Sequence, residues 1–159
     1  MYHKDGIIGT SKLICETLNA SGKHAAVLDQ YSNTANPIAH YMETGAEIWD
    51  QCDGKLDYVV LGMGTGGTLT GISRYLKQKN PNIKIIGVDP PGSSLSGPEN
   101  FVPSAPGGQV IEGTGYDFIP RVYDRTGADI FWSGPDKESF VMARRLMKEE
   151  GLMCGGSSG

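Results

Sequence analysis

The sequence predicts an α/β domain, a three-layer αβα fold in which a mostly parallel sheet lies between helices. Two observations lead to this prediction. Helical and strand-like patterns alternate along the 159 residues, and the strand candidates are short, continuous apolar runs, which are typical of parallel strands buried on both faces. A chain of this length with 38% hydrophobic and 20% charged residues suits one globular domain with its own core.

The first part of the chain contains two helical patterns and two strand candidates. Residues 7–18 carry apolar side chains at helical spacing, and residues 25–28 form a short strand candidate. Asn36-Pro37 supplies an N-cap residue followed by proline at the first helical position, which predicts a helix to about Gln51. Residues 58–61 are the next strand candidate, and they lead into a glycine-rich loop.

The second part continues the alternation. A helix follows the glycine-rich loop and is expected to end near Asn80-Pro81, and residues 83–88 form the next strand. Residues 93–108 are rich in Ser, Pro and Gly, which predicts an irregular loop. Residues 136–150 form a strong amphipathic helix that Gly151 would end.

The glycine-rich loop, Gly-Met-Gly-Thr-Gly-Gly-Thr-Leu at residues 62–69, is the most informative motif. A strand precedes it and a helix follows it, so glycines let the backbone approach an oxyanion while the first helical N–H groups point at that oxyanion. A tight turn that binds no ligand is the alternative, and the loop by itself leaves both open. No lysine follows the last glycine, so this is not a Walker loop.

Composition and charge exclude several classes of function. The net charge of −4 offers no basic footprint for nucleic acid, and no apolar stretch approaches the ~18 residues that a membrane helix needs. The N-terminus does not begin as a secretory signal, and three widely spaced cysteines favour neither a disulfide framework nor a structural metal site. A cytoplasmic location is therefore predicted. The histidines lack triad or metal-ligand spacing and are expected to be surface or packing residues: His3, His24 and His40.

The last six residues, Cys-Gly-Gly-Ser-Ser-Gly, form another glycine-rich turn, of the kind that normally opens a helix. No helical pattern follows it. We therefore expect the chain to be a segment of a larger protein.

Several segments resemble one family in a consistent order, from about Leu28 to the last residue. Their motifs are Asp-Gln-Tyr, Asn-Thr-Ala-Asn-Pro followed by His-Tyr, Gly-Thr-Gly-Gly-Thr, Ile-Gly-Val-Asp-Pro, Glu-Gly-Thr-Gly-Tyr-Asp-Phe-Ile-Pro and Gly-Leu-Met-Cys-Gly-Gly-Ser-Ser-Gly, at residues 29–31, 33–41, 64–68, 86–90, 112–120 and 151–159. They are similar to motifs of the cysteine synthases and cystathionine beta-synthases, which are fold-type II pyridoxal-phosphate enzymes. The last two segments resemble the beta-synthase branch more closely.

The resemblance implies a fold and a reaction. Residues 1–24 would end a preceding subdomain or form a connecting helix, and residues 25–159 would be the cofactor-binding large domain of the tryptophan synthase beta-like fold, truncated at its C-terminal end. The implied parent is a homodimeric hydro-lyase that uses pyridoxal 5'-phosphate to replace the hydroxyl of L-serine with homocysteine. The alternatives are a cysteine synthase, which uses O-acetylserine and sulfide, and a non-catalytic module with an assembly or regulatory role.

The resemblance also implies site residues. The cofactor phosphate would lie on the loop of Gly64, Thr65, Gly66, Gly67 and Thr68, and Ser157 would hydrogen-bond the pyridine nitrogen, although a serine there also suits the cap of a following helix. The substrate side would be formed by Tyr31, Gly113, Gly115 and Tyr116, and simple packing roles for the two tyrosines stay open. The family's Schiff-base lysine lies in an S-x-K-D-R segment that has no match here, so we expect no catalytic residue within the chain.

Overall fold

The structure, a computed structural model, describes residues 6–104, 106 and 108–159. Two predictions fall partly outside the described residues. These are the segment 1–24, of which the first five residues, including His3, are not described, and the loop 93–108, of which two positions are not described. The helices and strands are α1 (Ile7–Ala20), α2 (Ala35–Ala39), a π-helical turn (His40–Thr44), α3 (Gly45–Gln51), β1 (Tyr58–Gly62), α4 (Gly67–Lys79), β2 (Lys84–Asp89), β3 (Ile130–Ser133) and α5 (Asp136–Glu150). Short 3-10 turns occupy Pro98–Asn100, Arg125–Gly127 and Gly156–Ser158.

The three strands form one parallel sheet in the order β1-β2-β3. Val60 pairs with Ile86, which in turn pairs with Ile130. Strand β3 has no counterpart among the strands predicted from sequence. Its position is fixed by Asp129, whose N–H donates to the Ile85 carbonyl and whose carboxylate accepts from the Ile85 N–H, both at 2.8 Å.

Helix α4 covers one face of the sheet. Its apolar side chains recur at helical spacing, with Leu69, Ile72 and Leu76 fully buried against Ile85 of β2. Each such side chain contributes about 1.5–3 kcal/mol through removal from water. The N-terminus of α4 and the loop before it therefore sit on the best-packed part of the described chain.

The other face of the sheet is more open. Val60 and Trp132 lie on it and remain 61% and 65% exposed. At the carboxyl end of the strands this face meets α5 and the turn that follows it, since Val88, Ser139 and Ser157 line one small cavity. The sheet is thus parallel and flanked by helices, as predicted, with part of the second face uncovered among the described residues.

Most predicted elements are confirmed, α5 with the same bounds and with Gly151 left-handed at its end, at a φ of 70°. The predicted N-cap at Asn36 is wrong, because the helix begins at Ala35, whose N–H donates to the Asn33 side chain at 2.9 Å. A π-helical turn also interrupts the predicted helix before α3 begins at Gly45.

The strand candidate at residues 25–28 is not a strand. The side chain of Asn19 donates to the Ala25 carbonyl at 3.0 Å and accepts from its N–H at 2.8 Å. A side chain of α1 therefore satisfies backbone groups that a neighbouring strand would otherwise pair with. Leu28 is 89% exposed, so this short apolar run buries little.

Candidate functional site

One cavity of about 690 Å³ lies at the carboxyl end of the strands, where ligands of open α/β sheets bind. This volume is within the range of small-molecule sites. Three segments that are distant in sequence surround it: the glycine-rich loop, the stretch around Gly113 and the C-terminal turn. The lining residues are Gln30, Val60, Gly62, Gly64, Thr65, Gly66, Thr68, Val88, Gly113, Thr114, Tyr116, Ser157, Ser158 and Gly159.

The loop needs glycine at Gly64 and Gly66 for reasons of space. A Cβ on Gly64 would lie 2.6 Å from the Gly113 carbonyl oxygen, and one on Gly66 would collide with the ring of Tyr123. Gly66 also has a φ of 79°, which side-chain-bearing residues rarely adopt. These contacts hold the loop backbone directly at the cavity wall.

The loop presents hydrogen-bond donors that have no partner among the described residues. The first helical bond of α4 runs from the Thr70 N–H to the Gly66 carbonyl, at 2.9 Å. Within the described part of the chain, the N–H groups of Thr65, Gly66 and Thr68 have no acceptor. Unpaired N–H groups at the positive end of a 13-residue helix favour the binding of an anion.

Two threonine hydroxyls of the loop are held from behind by the segment that contains α2 and the π-helical turn. The Asn36 amide nitrogen donates to Thr65 Oγ1 at 2.9 Å. The His40 Nε2 lies 3.1 Å from Thr68 Oγ1. Both threonines line the cavity.

An aromatic group closes another side of the cavity. The Tyr116 ring contacts the rings of Tyr31 and Phe118 at centroid distances of 5.5 and 5.1 Å. Burial, with a smaller effect of the neighbouring Tyr31 phenol, raises the pKa of Tyr116 to about 12. Tyr116 is therefore a neutral hydrogen-bonding group at physiological pH.

Ser157 lies in the turn Gly156–Ser158, which packs back on α5 through the ring of Phe140. Ser157 is exposed and lines the same cavity as the glycine-rich loop. The structure thus brings the C-terminal turn to the same cavity as a loop about 90 residues earlier.

The structure places most, but not all, of the predicted site residues on the cavity lining. Those that line it are Gly64, Thr65, Gly66, Thr68, Gly113, Tyr116 and Ser157. Gly67 instead faces the Asn36 side chain, Gly115 faces the Pro90 ring, and Tyr31 stands behind Tyr116.

Sequence reasoning missed several lining residues. Gln30 precedes the predicted Tyr31, and Thr114 lies between two predicted glycines, so adjacency to a predicted site residue was an available signal. Asn36 and His40 were assigned to helix capping and packing, and only the fold shows that they contact the loop threonines.

The donor set fits a ligand that carries a phosphate group. The lining side chains are hydroxyls, one amide and small apolar groups, and no Asp or Glu side chain among the described residues lines the cavity. No described lysine lines it either. In the part of the chain that the structure covers, no cluster of three or more His, Cys, Asp or Glu is arranged to hold a metal, and no helix is long and apolar enough to span a membrane.

Comparison with known proteins gives consistent matches. A family model described as pyridoxal-phosphate dependent enzyme matches residues 3–159. The chain is 51% identical over 146 residues to a cystathionine beta-synthase of Dictyostelium discoideum, covering 92% of this chain and 29% of that protein. It is 55% identical over 133 residues to cystathionine beta-synthase of Mus musculus, covering 84% of this chain and 24% of that protein.

A second type of relative is less similar. Cysteine synthase 3 of Caenorhabditis elegans is 42% identical over 155 residues, which cover 97% of this chain and 43% of that protein. The chain spans 24% to 29% of the length of the two cystathionine beta-synthases compared above.

Proposed function

Since the chain belongs to the family of pyridoxal-phosphate dependent enzymes, we propose that it supplies the cofactor-binding part of a cystathionine beta-synthase. The family match confirms the predicted cofactor, pyridoxal 5'-phosphate, and the predicted α/β fold class. The observation that carries the proposal is that one cavity joins the glycine-rich loop, Gly113, Tyr116 and Ser157.

The loop would bind the phosphate group of the cofactor. The N–H groups of Thr65, Gly66 and Thr68 are unpaired within the described chain and lie at the N-terminus of α4. The hydroxyls of the two threonines add donors beside them. Hydrogen bonds to a charged group are each worth about 1.5–3 kcal/mol, so this cradle anchors the cofactor through its dianionic end.

Ser157 would hydrogen-bond the pyridine nitrogen of the cofactor. When bound, pyridoxal phosphate supplies an electron sink for reactions at the α- and β-carbons of an amino acid. A neutral serine hydroxyl does not transfer a full proton to that nitrogen, so the cofactor ring withdraws electrons less strongly. This suits elimination and replacement at the β-carbon. The exposed position of Ser157 on the cavity lining supports this role.

The wall of Gly113 and Tyr116, with Tyr31 behind it, would form the substrate side. Small residues leave room for an amino acid beside the cofactor, and the neutral Tyr116 phenol can donate or accept one hydrogen bond there. We propose L-serine and homocysteine as the substrates, because the cystathionine beta-synthases share more identity with the chain than cysteine synthase does. A cytoplasmic homodimeric hydro-lyase remains the proposed form of the intact enzyme.

The test is made on the intact protein loaded with pyridoxal phosphate. We expect cystathionine from L-serine and homocysteine, measured by mass spectrometry, at a rate well above that of cysteine formation from O-acetylserine and sulfide. Borohydride reduction and peptide mapping should label no lysine of residues 6–159, because no described lysine lines the cavity.

Three results would redirect the proposal. Faster cysteine formation would assign the protein to the cysteine synthases. Cofactor binding without turnover of either substrate pair would favour a non-catalytic module. Failure of the intact protein to bind pyridoxal phosphate would overturn the assignment of the cavity.

A further inference from the structure

The segment behind the glycine-rich loop contacts both threonine hydroxyls, and we propose that Asn36 and His40 are positioning residues that turn these hydroxyls into donors toward the cofactor phosphate. This inference rests on the proposed function. Neither side chain is among the cavity-lining residues, so both would act through the threonines. The two residues lie one helical turn apart and face the same loop.

The donor direction at Thr65 follows from the partners of Asn36. The same amide nitrogen of Asn36 lies 2.8 Å from the Gln30 carbonyl oxygen, which can only accept, and 2.9 Å from Thr65 Oγ1. That nitrogen is therefore the NH₂ group, and it has one hydrogen for each oxygen. Thr65 Oγ1 is the acceptor in this pair.

The Thr65 hydroxyl can then form a further hydrogen bond only as a donor. Its oxygen also accepts a long hydrogen bond from the Gly67 N–H at 3.4 Å. With both lone pairs engaged, only its hydrogen is left, and the residue lines the cavity. A dianionic phosphate has acceptors only, so this arrangement is pre-organised for it.

At Thr68 the direction of the hydrogen bond depends on the tautomer of His40. His40 Nδ1 lies 3.0 Å from Thr44 Oγ1, and Nε2 lies 3.1 Å from Thr68 Oγ1. If the Thr44 hydroxyl donates to Nδ1, the proton of the neutral ring is on Nε2 and is donated to Thr68. The other tautomer would use the single hydrogen of Thr68 on the imidazole and leave none for the phosphate.

Close packing keeps this segment in place. A Cβ on Gly67 would collide with the Asn36 side chain, and one on Gly71 would collide with the Pro37 carbonyl and lie 2.6 Å from the His40 Cβ. The His40 ring belongs to the π-helical turn, an irregularity that often occurs at functional sites. Backbone contact at two glycines thus sets the side chains at hydrogen-bond distance from the loop.

The experiment compares affinities for pyridoxal phosphate and for pyridoxal, which lacks the phosphate, in the intact protein. His40→Leu and Asn36→Leu should each weaken pyridoxal phosphate binding by roughly tenfold, the equivalent of one hydrogen bond to a charged group. Pyridoxal binding should stay within about twofold, since the unphosphorylated ligand offers the threonines no anion. The ³¹P resonance of the bound cofactor should shift in both variants.

Double variants separate positioning from general damage to the fold. Adding His40→Leu to Thr68→Val, or Asn36→Leu to Thr65→Val, should cause little further loss, because the positioned hydroxyl is already gone. His40→Gln keeps a donor near the Nε2 position and should restore most of the affinity. Tyr41→Phe is the matched control, because its hydroxyl donates to Gln78 on the surface and does not contact the loop.

Each outcome decides between the two proposals. Three results would overturn the positioning roles while leaving the proposed enzyme intact. They are additive losses of affinity in the double variants, equal losses of affinity for pyridoxal and pyridoxal phosphate, and no recovery of affinity in His40→Gln. If the variants show the expected affinities but the protein forms no cystathionine, the positioning roles are supported and the proposed activity is wrong. A wild-type protein that binds no pyridoxal phosphate would overturn both.

Discussion

The phenol oxygens of Tyr31 and Tyr116 lie 3.4 Å apart, and their rings meet edge to face at a centroid distance of 5.5 Å. The two residues are 85 positions apart in sequence. Burial is the main reason that the pKa of Tyr116 rises to about 12, and the Tyr31 phenol adds to it by hydrogen bonding and by charge repulsion. This pair links the segment after α1 to the wall of the cavity.

Replacing Tyr31 with phenylalanine should lower the pKa of Tyr116. The value should fall from about 12 toward the ordinary 10.0 and stay above it, because burial remains. Since the folded-state pKa is above the unfolded one, this phenol stabilises the fold below about pH 10, and the contribution is lost as pH rises toward 12. Titration of ¹³C-labelled tyrosines by NMR measures the change, and Tyr58→Phe at an exposed site is the control. An unchanged Tyr116 titration in Tyr31→Phe would contradict the coupling.

Alanine at Gly66 should destabilise the protein by about 3 kcal/mol, since left-handed strain costs about 1–2 kcal/mol and overpacking adds about 1–3 kcal/mol. Gly22 has the same φ of 79°, but a Cβ added there would have no atom within 4 Å, so Gly22→Ala isolates the strain. It should cost about 1 kcal/mol. Denaturant unfolding measures both changes. Equal losses of unfolding free energy in Gly66→Ala and Gly22→Ala would show that the Tyr123 ring moves aside.

The elements of the fold that could be predicted are those whose positions are determined by neighbouring residues in the sequence. Helix α5 and strands β1 and β2 carry their own periodicity and end signals, so their positions followed from the sequence. Strand β3 has only four residues, and its place is fixed by the hydrogen bonds of Asp129 to Ile85, 44 positions earlier. No local pattern could have indicated that pairing.

The site divides in the same way. The glycine-rich loop could be identified from sequence because its chemistry and its flanking strand and helix are contiguous. Gly67 of this loop and Gly115 of the segment 112–120 also pack closely against Asn36 and Pro90, which neither motif indicates. The contacts of His40 and Asn36 with the loop arise from the packing of α2 and the π-helical turn against α4, which a residue pattern does not encode.

Threonine in place of Val60 or Trp132 should reduce self-association of the 159-residue chain. Both side chains are more than 60% exposed on the open face of the sheet, and exposed apolar surface favours association. The free energy of unfolding should change by less than about 0.5 kcal/mol, as for other surface substitutions. Light scattering across a concentration series measures the association.

The neighbouring Val59 provides the matched control, because it is on the opposite face and packs against the core. Val59→Thr should lower the free energy of unfolding by about 1–2 kcal/mol and should not reduce association. If the two valines behave alike, the two faces of β1 are not distinguished by packing.

Asp89 is 2% exposed, and one oxygen of its carboxylate accepts a hydrogen bond from the Ser96 N–H at 3.0 Å. Its other oxygen and the buried Ser133 hydroxyl have no hydrogen-bond partner among the described residues. Burial raises the pKa of Asp89 above its ordinary value, and the opposing effect of the nearby Ser93 and Ser96 is smaller. Asparagine keeps the acceptor for Ser96 and offers an NH₂ group to the vicinity of Ser133.

Asp89→Asn should therefore stabilise the protein at pH 7, by about 1 kcal/mol, the net value of one hydrogen bond. Because the folded-state pKa is raised, the wild-type contribution is fully present below about pH 4 and is lost as pH rises through the folded value. The advantage of the variant should then disappear on acidification. Asp124, whose pKa is lowered by Thr126 and Arg74, gives the opposite control, since Asp124→Asn should destabilise at pH 7 and match wild type in acid. Thermal unfolding between about pH 2 and 8 measures both, and an Asp89→Asn protein less stable than wild type at pH 7 would show that the charged carboxylate is satisfied in the fold.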